Sequence, residues 1–169
     1  ASIAPDLNNR VFTVNGFAKG WAMTGWRIGY LSGNKDIIKA CIALQSQSTS
    51  NVCSFAQHGA LAALQASYKC VREMATTYNK RRAILINKLN NIEGIKLCPP
   101  KGAFYAFPQL PKKCFNSIDF CNRALEEVGL ALVPGVVFGD DRCVRISCAV
   151  SNETILDGVT RLSKIIETY

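Results

Sequence analysis

The stretch "NGFAKGWAMTGWRIGYLSG", residues 15–33, decides how the rest of the chain is read. It opens on the turn pair Asn15-Gly16 and closes on Gly33, and it adjoins or contains two β-branched and aromatic runs, "RVFTV" at 10–14 and "RIGYLSG" at 27–33. Such runs, bounded by glycine, read as two buried strands with a loop between them. Lys19 lies in that loop, among Phe17, Trp21 and Met23, with Arg27 eight positions on. Apolar neighbours that strip water from a lysine disfavour its ammonium form, lower its pKa and leave a nucleophilic amine. Such an amine most often attacks a carbonyl, and an arginine nearby to hold a phosphate suggests pyridoxal phosphate as the carbonyl compound. On chemistry alone a structural lysine at a strand-end turn, beside an arginine in a salt bridge, is the plainer account.

Beyond the loop the pattern turns helical. Asn34 is placed to cap a helix whose Ile37, Ile38, Cys41, Ile42 and Leu44 keep to one side, and "QSQSTSN" at 45–51 reads as a polar loop. Ser54 is expected to cap a second helix packed through Ala56, Ala60, Leu61 and Leu64, with a break near Ala66-Ser67. From Tyr68 to about Asn91, Val71, Met74, Ala75, Tyr78, Leu85 and Leu89 recur at helical spacing and predict one long amphipathic helix, able to join two domains. After Gly94, "IKLCPPKGAFYAFPQL" reads as a strand interrupted by a turn, followed by a helix capped by Ser117 and stopped at Gly129. "LALVPGVVFG" and "CVRISCA" read as strands, and a last helix runs from about Asn152 through Ile155, Leu156, Val159, Leu162 and Ile166. Helices on a short sheet make the second half an α+β layer.

Composition narrows the field. The 169 residues are 49% apolar, enough for a packed core. The opening "ASIAPDLNNR" lacks the basic start and apolar run of a secretory leader, and no apolar stretch reaches a membrane helix's length of about 18 residues, so no membrane association is expected. The eight cysteines, at 41, 53, 70, 98, 114, 121, 143 and 148, show no regular pairing and no C-x-x-C, which favours reduced, mostly buried thiols over a disulfide framework. His58 is the single histidine, which excludes a His-rich metal site and a Ser-His-Asp triad within the chain. No metal site is expected, although Cys-only zinc binding stays open. A net charge of +8 raises nucleic acid, but the basic residues are scattered, and "NKRR" at 79–82 reads as a solvated helix face rather than a phosphate patch.

The wording of the central motif carries further than its chemistry. "NGFAKGWAMTGWRIGYLSG" closely resembles the pyridoxal-phosphate lysine segment of class I aminotransferases, in particular the bacterial and plastid aspartate aminotransferases and their prephenate aminotransferase relatives. "PKGAFYAFPQL" at 100–110, "LVPGVVFGDDRCVRISCAVS" at 132–151 and the C-terminal helix match later blocks of the family in order, so the resemblance covers essentially the whole chain. It implies an α/β, fold-type I, PLP-dependent transferase. Residues 1–66 are implied to be the C-terminal remnant of its large domain, and 67–169 most of its small α+β domain, including the long linking helix.

By the same resemblance, Lys19 bonds to pyridoxal 5'-phosphate and later carries a proton between the substrate α-carbon and the cofactor. Arg27 is implied to bind the cofactor phosphate. Ala18 stands where the family often has a hydroxyl residue, so one phosphate hydrogen bond is not expected here. Arg145 matches the arginine that pairs with the substrate α-carboxylate; by itself "VRISCA" favours a strand-end surface arginine. Arg142 is read as a surface residue. Asn15, Gly102 and Phe104 are implied to line the substrate site. Ser48, Thr49 and Ser50 fall where the family reaches toward a neighbouring subunit, or form a solvated linker.

Members of the class are much longer, and several of their cofactor contacts have no counterpart here: the stacking aromatic, the aspartate that keeps the pyridine nitrogen protonated, and a tyrosine near the cofactor oxygen. The chain alone is therefore expected to be inactive. The parent protein is expected to move an amino group between an amino acid, aspartate or glutamate, and a 2-oxo acid, as a homodimer in the cytoplasm, or in the plastid stroma of a plant or alga. Other fold-type I enzymes, such as C-S lyases and aminocyclopropane-carboxylate-synthase-like enzymes, share Lys19-like and Arg145-like residues and stay open. A noncatalytic basic module that binds anions or nucleic acid is the alternative of a different class.

Overall fold

The computed structural model describes residues 3–169, and the chain divides into two units, Ala1–Glu73 and Met74–Tyr169. In the first, β1 (Thr13–Gly16) and β2 (Gly29–Ser32) pair antiparallel, with Val14 opposite Leu31 and Asn15 opposite Tyr30. Both strands were expected to be buried, and they are not: Val14 is 80% exposed and β2 is exposed throughout. Residue type records what a strand could bury, but burial needs a second layer, and a two-stranded ribbon is only one.

Helix α1 (Lys35–Ser48) starts as its sequence predicts, the Asn34 side chain accepting from the amides of Asp36 and Ile37 at 2.9 and 3.3 Å. It then continues through Gln45–Ser48, most of the expected polar loop. Glutamine is a good helix former, serine is tolerated on an exposed face, and extending an existing helix is cheap. Ile37, Ile42 and Leu44 share no buried face, since all three are exposed. Helix α2 (Ser54–Gln65) follows Cys53, so Ser54 is its first residue rather than its cap, and it ends at the expected break. Ala56 and Ala60 are its buried residues, whereas Leu61 and Leu64 are about half exposed. At Gly59 a Cβ would lie 2.3 Å from the Trp26 ring, so a larger residue there would have to displace that half-exposed ring.

The long helix is present as α3 (Lys69–Asn90), and the boundary between the units falls in its first turns. The second unit is a three-stranded antiparallel sheet in the order β3 (Tyr105–Ala106), β5 (Val144–Ser147), β4 (Val133–Pro134), with α4 (Ser117–Val128) and α5 (Asn152–Thr168). Its core joins Leu85 and Leu89 of α3, Phe120 and Ala124 of α4, Val144 of β5, and Ile155, Leu162 and Ile165 of α5.

Two readings change here. The apolar run 130–139 is strand only at β4: after Pro134 it coils into a 3-10 turn at Gly135–Phe138. At Gly135 a Cβ would meet the carbonyl oxygens of Cys143 and Asp140 at 2.2 and 2.3 Å, so glycine lets the chain fold back where a side chain could not. Asn116, not Ser117, caps α4, accepting from the Asp119 amide at 3.1 Å, while Gly129 ends the helix as expected in the left-handed conformation (φ 63°).

Four cysteines are buried, Cys114, Cys121, Cys143 and Cys148, and the other four are exposed, so the thiols are not mostly buried. Among the described residues no helix is long and apolar enough to cross a membrane.

Candidate active site

Lys19 projects from the turn that follows β1. Beneath it, Phe17 (2% exposed) and Met23 (9%) turn inward and pack with Ala60 of α2. Trp21 joins them, its ring 5.2 Å from Phe17 and 5.7 Å from Tyr68, and its indole N–H donates to the Ala63 carbonyl at 3.1 Å. The loop is thus pinned to α2 by aromatic packing and one long-range hydrogen bond. The amides of Trp21 and Met23 both donate to the Phe17 carbonyl, at 3.3 and 3.4 Å.

The apolar residues around Lys19 were expected to desolvate it, yet Lys19 is exposed. Phe17 and Met23 serve the core under the loop, so they fix where the lysine stands rather than cover it.

Arg27 lies further along the same loop with left-handed backbone (φ 52°, ψ 47°), and Ala22 also has positive φ (54°). For non-glycine residues that conformation costs about 1 kcal/mol each. The Arg27 guanidinium donates to the Thr24 carbonyl at 2.9 Å and, among the described residues, makes no salt bridge with a carboxylate. Asn15 stands on β1 next to the loop, its side-chain oxygen accepting from the Gly16 amide at 2.8 Å. Lys19, Arg27 and Asn15 therefore belong to one hairpin of the first unit.

The remaining sequence candidates are in the second unit. Arg145 is half-buried on the central strand β5, its guanidinium carbon 4.5 Å from the Tyr105 ring centroid and 4.6 Å from that of Phe138. Arg123, Arg142 and Arg161 are each paired with a carboxylate, whereas among the described residues Arg145 is paired with none. Arg142 is held by both Asp140 oxygens, at 2.9 and 2.7 Å. That pairing holds the Asp140 carboxyl far below the usual carboxylate range. Phe104 is half-buried against the core, its ring 4.4 Å from Tyr105 and 5.7 Å from Tyr78, and Gly102 is an exposed bend with open space around it.

Sequence reading missed Tyr105 and Phe138 as neighbours of Arg145. The aromatics of "KGAFYAF" and "GVVFG" were the available signal, but reading Val136–Phe138 as strand hid the turn that brings Phe138 over the guanidinium. Ser48 ends α1, and Thr49 and Ser50 follow it directly.

Comparison with known proteins gives the setting. The family described as "Aminotransferase class I and II" matches residues 1–162. The bifunctional aspartate aminotransferase and glutamate/aspartate-prephenate aminotransferase of Petunia hybrida is 41% identical over 97% of this chain and 37% of its own length. The probable aspartate/prephenate aminotransferase of Rickettsia conorii is also 41% identical, over 99% of this chain and 44% of its own. Among solved structures, the aspartate aminotransferase of Rhizobium meliloti superposes with a TM-score of 0.89 at 36% identity, covering 96% of this chain and 43% of that one. The aromatic aminotransferase of Pyrococcus horikoshii gives a TM-score of 0.90 at 34% identity, covering 97% and 44%. The chain thus spans less than half the length of the relatives it matches. With an exposed lysine on an aromatic-pinned hairpin and this agreement along nearly its whole length, the chain belongs to the class I and II aminotransferase family.

Proposed function

We propose that the chain is the C-terminal part of an enzyme that moves an amino group between an amino acid, aspartate or glutamate, and a 2-oxo acid with the help of pyridoxal phosphate. The substrates follow the printed names of the relatives, and a homodimeric parent follows the family resemblance. Residues 1–66 are taken as the end of the large domain and 67–169 as most of the small one.

The observation that carries this reading is the display of Lys19, exposed on a loop in which Phe17, Trp21 and Met23 are committed to packing. A primary amine and a guanidinium on one hairpin are the donor set that an aldehyde-bearing phosphate ester requires, so the residues present fit the cofactor. Lys19 would hold it through the aldehyde carbon and, once released, move a proton to and from the substrate α-carbon. Arg27 would hold the phosphate. Its guanidinium already has one N–H placed on Thr24, which orients the rest of the fork. The cofactor, when bound, supplies the electron-withdrawing ring that acidifies the substrate α-carbon.

Arg145 would bind the substrate α-carboxylate, a task suited to an arginine with no carboxylate partner of its own among the described residues. Asn15, Gly102 and Phe104 are assigned to the substrate site on the resemblance. Phe104 packs on Tyr105 and so reaches Arg145 through one ring.

The test is an amino-transfer assay of the whole protein with aspartate and 2-oxoglutarate. Formation of oxaloacetate and glutamate, abolished by Lys19→Ala with pyridoxal phosphate still retained, is the expected result. Release of pyruvate and ammonia from a sulfur amino acid without an acceptor would instead make the protein a C-S lyase. Salt-dependent binding to a random oligonucleotide with no turnover would make it a basic binding module.

A further inference from the structure

We propose that Tyr105 and Phe138 are positioning residues that hold the Arg145 guanidinium in one plane, so that its fork is presented edge-on to a carboxylate. The proposal rests on the reading of Arg145 as a carboxylate-binding residue and adds the groups that aim it. Both rings lie within cation–π distance of the guanidinium carbon, at 4.5 and 4.6 Å. They approach it from different parts of the fold, Tyr105 from β3 and Phe138 from the turn after β4, and each has its own ring partner. Phe104 lies 4.4 Å from Tyr105, and Phe107 meets Phe138 edge-on at 5.9 Å.

An arginine side chain has several rotatable bonds and loses much conformational freedom when fixed. Ring faces restrain it without neutralising it, whereas a carboxylate partner would hold it and also use up its charge. Arg142, three positions earlier, shows that second arrangement with Asp140. Arg145 is thus both restrained and available for an anion.

The turn that carries Phe138 is itself anchored. The buried Ser117 hydroxyl donates to Asp141 at 2.7 Å and accepts from the Val136 amide at 3.2 Å, while the Gly135 amide donates to the Cys143 carbonyl at 2.9 Å. The ring over Arg145 is therefore placed by α4 as well as by its own turn. Tyr105 and Phe138 touch no reacting atom in this account; they act through Arg145.

Two measurements test the proposal. In the 169-residue chain with nitrogen-15-labelled arginine, the Arg145 Nε–H signal, assigned by its loss in Arg145→Lys, is expected upfield of the Arg142 and Arg161 signals through ring currents. In Phe138→Leu it should move back toward them. In the whole protein, Phe138→Leu is expected to raise KM for both the amino acid and the 2-oxo acid by about fivefold with kcat retained, the scale of one cation–π contact. Phe138→Tyr and Tyr105→Phe, which keep the rings, should leave KM unchanged. An Arg145 signal at the position of an ordinary exposed arginine would overturn the proposal. So would an unchanged KM in Phe138→Leu when Arg145→Lys raises it, a result that leaves the carboxylate reading of Arg145 intact. If Arg145→Lys itself leaves KM unchanged, the carboxylate reading fails and the proposal falls with it.

Discussion

At Cys121 and Cys143 burial pushes the thiol up to about 11, with the Asp140 carboxylate adding to the effect at Cys143. Burial also raises Cys114 and Cys148. These four line the core and the sheet of the second unit, while Cys41, Cys53, Cys70 and Cys98 face outward. Alkylation at about pH 8 needs both access and a thiolate, so iodoacetamide should label the outer four within minutes and the inner four only after denaturation. Peptide mapping by mass spectrometry checks this. Rapid labelling of Cys121 or Cys143 in the folded chain would mean that the core is not packed as described. Sequence spacing argued against a disulfide framework but could not sort thiols into inside and outside, because that depends on which helix face finds a second layer.

The element that governs the second unit is the junction of α4 with the turn at Gly135–Phe138. Ser117 is fully buried and ties three points together: its own amide and hydroxyl bind Asp141, and it receives the Val136 amide. Ser117→Ala leaves the Val136 N–H and one Asp141 contact without their partner, so the variant should be destabilised by about 1–3 kcal/mol. Urea denaturation measures the loss, and a change within about 0.3 kcal/mol would show that water replaces the hydroxyl without cost. Local signals made much of this architecture legible: Asn34 as a cap, Gly129 as a stop, and the helical recurrence from Val71 to Leu89. The failures have a common cause. Ser117 looked like a cap because serine commonly is one, but its hydroxyl answers to Asp141, distant in sequence. Val136–Phe138 looked like strand because the residues are β-formers, but Gly135 and its close carbonyls turn the chain.

For the molecule as a whole, the decisive fact is that the chain spans 37–44% of relatives it matches almost end to end. The first unit exposes large apolar side chains on its hairpin and helices, among them Val14, Leu31, Ile42, Leu44 and Phe55. Its loop presents an amine and a guanidinium but, on the family resemblance, only part of a cofactor cradle. The isolated 169-residue chain should accordingly show no transaminase activity in a coupled assay with aspartate and 2-oxoglutarate. Turnover near an ordinary enzyme's rate, on the order of 10 per second, would refute the incompleteness of the site. The lysine loop was legible because its motif is specific, although its apolar residues do not strip water from the lysine: Phe17 and Met23 are buried and Lys19 is exposed. Arg145 was singled out from the later block at 132–151, and its aromatic neighbours were not, since they come from separate elements.

The central claim is that the hairpin exists to present Lys19 to a carbonyl. Borohydride reduction of the whole protein saturated with pyridoxal phosphate, followed by peptide mapping, tests it most directly. The cofactor is expected to become fixed to Lys19 alone, and Lys19→Ala to retain cofactor without fixing it. Replacing Arg27 should weaken cofactor binding by about 2 kcal/mol while the label still reaches Lys19 at high cofactor concentration. Label on Lys35 or Lys101, or spread evenly over several lysines, would make Lys19 a structural residue of its turn and not the cofactor's lysine.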